Sequence, residues 1–141
     1  MDRGRILRVW LPAGLGLYCI YFLFVRGPGP HDGTRWIGLG VSLLGLAGII
    51  VARYTLGESF SIRAKATKLV TTGIYSRMRN PIYVFGVILM AGLILMVRSS
   101  LLGLLVIILI PMQIIRARRE ARVLEAKFGD TYRQYRDHTW F

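Results

Sequence analysis

Four uncharged, apolar stretches run through this chain, from Val9 to Val25, Trp36 to Ala52, Ile82 to Val97 and Leu101 to Ile115. They take up so much of a 141-residue chain that little remains to form a polar exterior, which argues against burying them in a water-soluble bundle. A hydrophobic share of 54% and a mean hydropathy of +0.49 agree, since a soluble domain of this size cannot hide that much apolar surface. Each stretch is a little shorter than the roughly 20 helical residues needed to cross about 30 Å of hydrocarbon. Flanking residues complete the crossing, and Arg or Lys among them can snorkel to the headgroups. The expected fold is all-α: one integral membrane domain over residues 1–141, with four transmembrane helices and a cytoplasmic C-terminal helical segment.

Charge sets the orientation. The formal net charge is +12, from 19 Lys and Arg against 7 Asp and Glu. Arg3, Arg5 and Arg8 precede the first stretch, six basic residues from Arg53 to Arg79 lie between the second and third, and seven follow the fourth. Only Arg26, Arg35 and Arg98 fall in the other two loops, so the positive-inside rule predicts cytoplasmic termini and a central cytoplasmic loop facing the tail. The expected setting is a prokaryotic cytoplasmic membrane. Membrane lipids are expected partners, because anionic headgroups attract each nearby Lys or Arg by about 1 kcal/mol. Nucleic acid is not expected, as no basic recognition helix or zinc spacing accompanies the charge. The short connection from Val97 to Leu101 predicts a tight antiparallel pair of third and fourth helices.

Smaller features refine this picture. The basic N-terminus resembles a signal-peptide n-region, but the apolar run is long and Pro28 to Gly33 offers no small-residue cleavage site, so a retained span is expected. Cys19 is the single cysteine and His31 and His138 are the two histidines, which leaves no basis for an intrachain disulfide or a metal site. Gly14, Gly16, Gly38, Gly40, Gly45, Gly48, Gly86 and Gly92 predict close helix contacts within the chain, with a lipid-facing cleft or a homodimer interface as the other uses of such residues. Pro111 predicts a bend near the cytoplasmic end of the fourth helix, allowing the segment from Arg116 onward to swing over the central loop.

Two local patterns point to a site. In the segment from Leu69 to Tyr83, Asn80 suits an N-cap and Pro81 the first helical position, so the third helix presents free N–H groups at the membrane surface beside Tyr75, Arg79 and Tyr83. In the tail, Arg116 and Glu120 are four apart and share a helix face. They form either an exposed salt bridge, worth only about 0.3 to 0.5 kcal/mol, or a pair of ligands for an ammonium and an anionic group.

The Leu69–Tyr83 segment, followed by Glu120-Ala121-Arg122-Val123-Leu124 and by Phe128-Gly129-Asp130-Thr131-Tyr132-Arg133-Gln134-Tyr135, resembles the isoprenylcysteine carboxyl methyltransferase family and its phospholipid methyltransferase relatives. The first two spans add only topology to the resemblance. It implies an integral-membrane enzyme that uses S-adenosylmethionine in a pocket on the cytoplasmic side, formed by about residues 65–83 and 116–137. On that analogy Lys68, Leu69 and Val70 line the nucleoside region and Tyr75 packs beside the cofactor. Arg79, Asn80, Pro81 and Ile82 form the pocket at the third helix's start, Glu120 binds the methionine ammonium, and Arg116 orients the acceptor's anionic group.

Three positions depart from the family pattern: Asn80 replaces a common His before Pro81, Thr67 replaces a His ahead of the Leu-Val pair, and Ala121 replaces the second Glu of a pair. Asn cannot titrate as a base, so no general base is assigned. A carboxylate acceptor such as isoprenylcysteine needs none, whereas a lipid amine must first lose a proton. The expected activity is methyl transfer to a lipophilic or prenylated amphiphile, preferably a carboxylate. A lipid amine is the alternative acceptor, and a noncatalytic membrane scaffold the alternative class.

Overall fold

The apolar stretches fold as helices, and helix ends fall where the sequence supplies a proline, a glycine or an arginine clamp. The computed structural model describes residues 9–56, 69 and 71–140, apart from the side chains of 100 and 102. Lys68 and Val70, assigned above to the nucleoside region, lie outside the described residues, as does Thr67. Helix α1 spans Leu11–Arg26, α2 Gly33–Leu56, α3 Pro81–Val97, α4 Ser100–Phe128 and α5 Asp130–Asp137, with a 3-10 turn at Gly73–Ser76. No strand occurs among the described residues; a single parallel bridge joins Met78 to Trp140. Among these residues α2, with 24, is the one helix both long and apolar enough to cross a membrane unaided, while α1 and α3 are apolar but have 16 and 17.

The most extensive packing joins α2 to α3, and glycine makes it possible. A Cβ on Gly38 would stand 2.8 Å from the Gly92 carbonyl oxygen. One on Gly92 would run into the Ser42 backbone, and one on Gly45 into that of Leu89, so the two backbones approach as only small residues allow. Ser42 is fully buried there and donates to the Met96 sulfur at 3.7 Å. Ile20 of α1 completes the core with Leu46, Met96 and Val97. Not every glycine is used this way: a Cβ on Gly14 or Gly40 would meet open space.

The tight antiparallel pair is therefore α2 with α3, and the expectation that α3 and α4 would form it is not met. Their connection is short, with Arg98 in the left-handed conformation (φ 51°), yet α4 touches α3 only lightly and exposes Leu101, Leu104, Ile107 and Ile108. The lone glycine of α4, Gly103, makes no close approach to another helix, since a Cβ on it would meet open space. Nor does Pro111 release the tail: α4 runs through it and on to Phe128, so Arg116 belongs to a continuous helical extension. The chain turns instead at Gly129, whose φ of 50° disfavours any residue with a Cβ.

Two arginines hold the opposite end. Arg35 is 1% exposed, and its guanidinium donates to the carbonyls of Leu23 (2.7 Å), Gly27 (2.8 Å) and Gly29 (2.8 Å), satisfying the C-terminal end of α1. Arg98 donates to Asp32 at 2.6 Å and to Thr34 at 2.7 Å, tying the α1–α2 loop to the α3–α4 loop. Two of the three basic residues that break the charge pattern thus have structural partners.

Candidate functional site

At the other end, the start of α3, the extension of α4, the 3-10 turn and α5 converge. Pro81 is the buried first residue of α3, and the Asn80 carbonyl accepts from the N–H groups of Tyr83 (3.1 Å) and Val84 (3.2 Å). The expected side-chain cap is absent: at φ −127° and ψ 51° the Asn80 amide forms no capping bond, which leaves it available to another partner. Tyr83, one position past Ile82, donates its hydroxyl to Glu120 Oε2 at 3.1 Å and so joins α3 to α4. Arg116 is exposed and forms no ion pair with Glu120, although it is an electrostatic neighbour of the Tyr83 hydroxyl. The intrahelical salt bridge is therefore not formed, and Glu120 is turned toward α3.

Tyr75, 7% exposed in the 3-10 turn, lies within the electrostatic reach of Glu120, Tyr135 and Tyr83. Burial drives its pKa well above the ordinary tyrosine value, and the nearby Glu120 carboxylate adds to the shift, with Arg53 opposing it. Tyr135 donates to the Tyr75 carbonyl at 2.6 Å, and burial pushes its own pKa up to about 12. Tyr132, 2% exposed, is likewise raised by burial, against the pull of the nearby Arg79 guanidinium. The Nε of Arg79 is buried without a hydrogen-bond partner. Trp140 closes the ring, its N–H donating to the Arg77 carbonyl at 2.8 Å while its carbonyl accepts from the Arg79 N–H at 3.4 Å.

The structure thus brings together Tyr75, Arg79, Asn80, Pro81 and Glu120 of the residues singled out from sequence. Leu69 is half-buried, and Ile82 belongs to an adjoining cleft. That cleft has a volume of about 230 Å³ between α2, α3 and α4, with Ile49, Arg53, Ile82, Gly86, Met90 and Gln113 in its wall. Neither histidine joins the cluster: His31 packs edge-on against Phe24 at 5.6 Å, and His138 is exposed with Nδ1 2.7 Å from the Gln134 carbonyl.

Sequence reasoning gave no role to Arg53, Gln113, Tyr132 or Tyr135. The spacing of Tyr132 and Tyr135, three apart on one face of a short polar helix, was the available signal for the last two. Arg53 and Gln113 stood out only as polar residues at the edge of, or within, apolar stretches.

The arrangement suits a small zwitterionic ligand. Glu120 offers a carboxylate of which the Tyr83 hydroxyl occupies one of about four lone-pair sites, while the buried Arg79 Nε and the uncapped Asn80 amide are donors in need of acceptors. A family model described as phospholipid methyltransferase matches residues 34–131, from the first turn of α2 into α5. The match reaches further toward the N-terminus than the motifs did, taking in the glycine-packed α2. No curated protein and no solved structure matches the chain. The chain belongs to the phospholipid methyltransferase family, a methyltransferase family of the same group as the isoprenylcysteine carboxyl methyltransferases.

Proposed function

We propose that this protein is an S-adenosylmethionine-dependent methyltransferase acting at the cytoplasmic face of a membrane on an amphiphile embedded in it. The observation that carries the reading is the 3.1 Å bond from Tyr83 to Glu120, which assembles the cluster beside the end of an apolar cleft. Glu120 would hold the methionine ammonium, Arg79 and Asn80 would donate to the cofactor's oxygens, and Tyr75 would pack beside it. Lys68, Leu69 and Val70 enter by family resemblance. S-adenosylmethionine supplies, when bound, a methyl group already activated for one-step displacement. The chain's remaining task is to hold the acceptor in line and away from water, with Arg116 orienting an anionic head.

A carboxylate acceptor such as an isoprenylated cysteine is already nucleophilic and releases no proton, which agrees with a cluster lacking an imidazole. The second reading, a phospholipid amine, is favoured by the description of the family itself. It requires a proton acceptor, and because burial keeps Tyr75 protonated, that role would fall to Glu120.

The same proposal includes four membrane spans with cytoplasmic termini in a prokaryotic cytoplasmic membrane. It is supported by the uncharged stretches, the partition of basic residues and the Arg98–Asp32 bond that joins the two loops poor in charge. The test is to incubate purified protein with a labelled methyl donor and a panel of prenylcysteine analogues, ethanolamine phospholipids and fatty acids. Label on a carboxylate is expected. Label confined to lipid amines would move the assignment to the second reading, and transfer to no acceptor would favour the noncatalytic scaffold.

A further inference from the structure

The helical extension of α4 carries charge that the cofactor cluster does not use. Arg118, Arg119 and Arg122 follow Ile115, all three are exposed, and none forms an ion pair with a described acid. The nearby acids are engaged elsewhere: Glu125 holds Arg133 at 3.0 Å and Arg136 at 3.8 Å, and Glu120 accepts from Tyr83. Arg118 and Arg122 are four apart on one face, a like-charge pair that destabilises a helix unless an anion lies against it. Each stands two residues from Glu120, hence about 200° around the helix from it, so this face looks away from the cluster and from the cleft.

The same face continues below the arginines as apolar surface. Leu104, Ile108 and Ile115 fall in line with Arg118 and Arg122 at helical spacing and are exposed, while α4 touches α3 only lightly. From Ile108 to Arg118 the helix rises about 15 Å, half of the roughly 30 Å of hydrocarbon and so the depth of one leaflet. An acyl chain can lie along this strip while its phosphate meets the guanidinium groups above, which bind phosphate oxygens in pairs.

We infer that the outward face of α4 binds one anionic phospholipid of the cytoplasmic leaflet, at a site separate from the acceptor's cleft. The inference rests on the placement of α4 across the membrane proposed above and not on methyl transfer. The bound lipid offsets the repulsion between Arg118 and Arg122 and supplies α4 with packing that α3 does not. A zwitterionic lipid brings the same phosphate with an ammonium that the arginines repel, and a soluble acidic partner would leave the apolar strip uncovered.

The experiment uses the full chain in phosphatidylcholine nanodiscs that contain a small share of a probe lipid with a diazirine on its acyl chain, either phosphatidylglycerol or phosphatidylcholine. Crosslinks are mapped to single residues. The phosphatidylglycerol probe should label Ile108 and Ile115 on the order of tenfold more than the phosphatidylcholine probe. Arg118→Gln/Arg122→Gln should bring the two probes level, whereas Arg3→Gln/Arg5→Gln, which removes the same charge elsewhere, should keep the preference. Equal labelling of the wild type by both probes, or equal losses in the two double variants, would overturn the site. Crosslinks joining two chains through α4 would also overturn it, by assigning the face to a second copy. With Ile108→Cys in a Cys19→Ser background, exclusion of a water-soluble maleimide is expected. Reaction with the maleimide would defeat the membrane placement itself, whereas exclusion together with equal probe labelling would defeat the lipid site alone.

Discussion

Tyr135 shows at a single residue how burial governs the site. Its pKa of about 12 exceeds the ordinary value of about 10, so the folded state holds this proton more tightly than the unfolded chain. Its contribution to stability is complete below pH 10 and is lost as pH rises from there through 12. Tyrosinate absorbance should therefore contain a component near pH 12 that Tyr135→Phe diminishes by one tyrosine, and the melting temperature of the wild type should fall more steeply above pH 10 than that of the variant. A Tyr135 component titrating at 10 would contradict the burial. Its bond to the Tyr75 carbonyl is also where sequence was least informative: the motif around Tyr132 and Tyr135 was visible, but the partner lies sixty positions earlier. Asn80 taught the opposite lesson. Its position as N-cap was legible from Pro81, whereas the lack of a capping bond from its side chain was not, because the backbone conformation there, φ −127° and ψ 51°, is not written in the residue type.

Among the elements, the α2–α3 pair is the scaffold on which the site stands, and its glycines separate packing from mere smallness. Gly45→Val would press a branched side chain onto the Leu89 backbone, an overpacking expected to cost about 1 to 3 kcal/mol or more. Thermal unfolding in detergent should show a clear loss of stability for this variant and essentially none for Gly14→Ala, whose added methyl meets open space. Equal stability of the two would mean that the close approach is not maintained in the membrane. Sequence located both helices and the glycines but paired α3 with the wrong partner. Loop length suggested α4, while the close approach is made where glycines of α2 and α3 face each other's backbones, and Gly103 of α4 faces none. That separation is what opens the cleft beside Ile82 and Gln113.

For the whole molecule, the contacts group the loops in the same way as the charge partition does. Arg98 ties together the loops poor in basic residues, and Tyr83, Glu120, Tyr135 and Trp140 tie together the segments rich in them. Single cysteines placed in a Cys19→Ser background should report this in sealed vesicles: positions 72 and 134 should be labelled from the cytoplasmic face and position 31 from the other. Labelling of 72 and 134 from opposite faces would exclude a site shared by the central loop and the tail. The central claim, that Glu120 positioned by Tyr83 belongs to a cofactor site, is tested most directly by calorimetry of S-adenosylhomocysteine binding to wild type and Glu120→Gln. Saturable binding to the wild type is predicted, weakened on the order of 10- to 100-fold in the variant by loss of the charge-assisted contact. Absence of binding to folded wild type, or equal affinity in the two proteins, would contradict it.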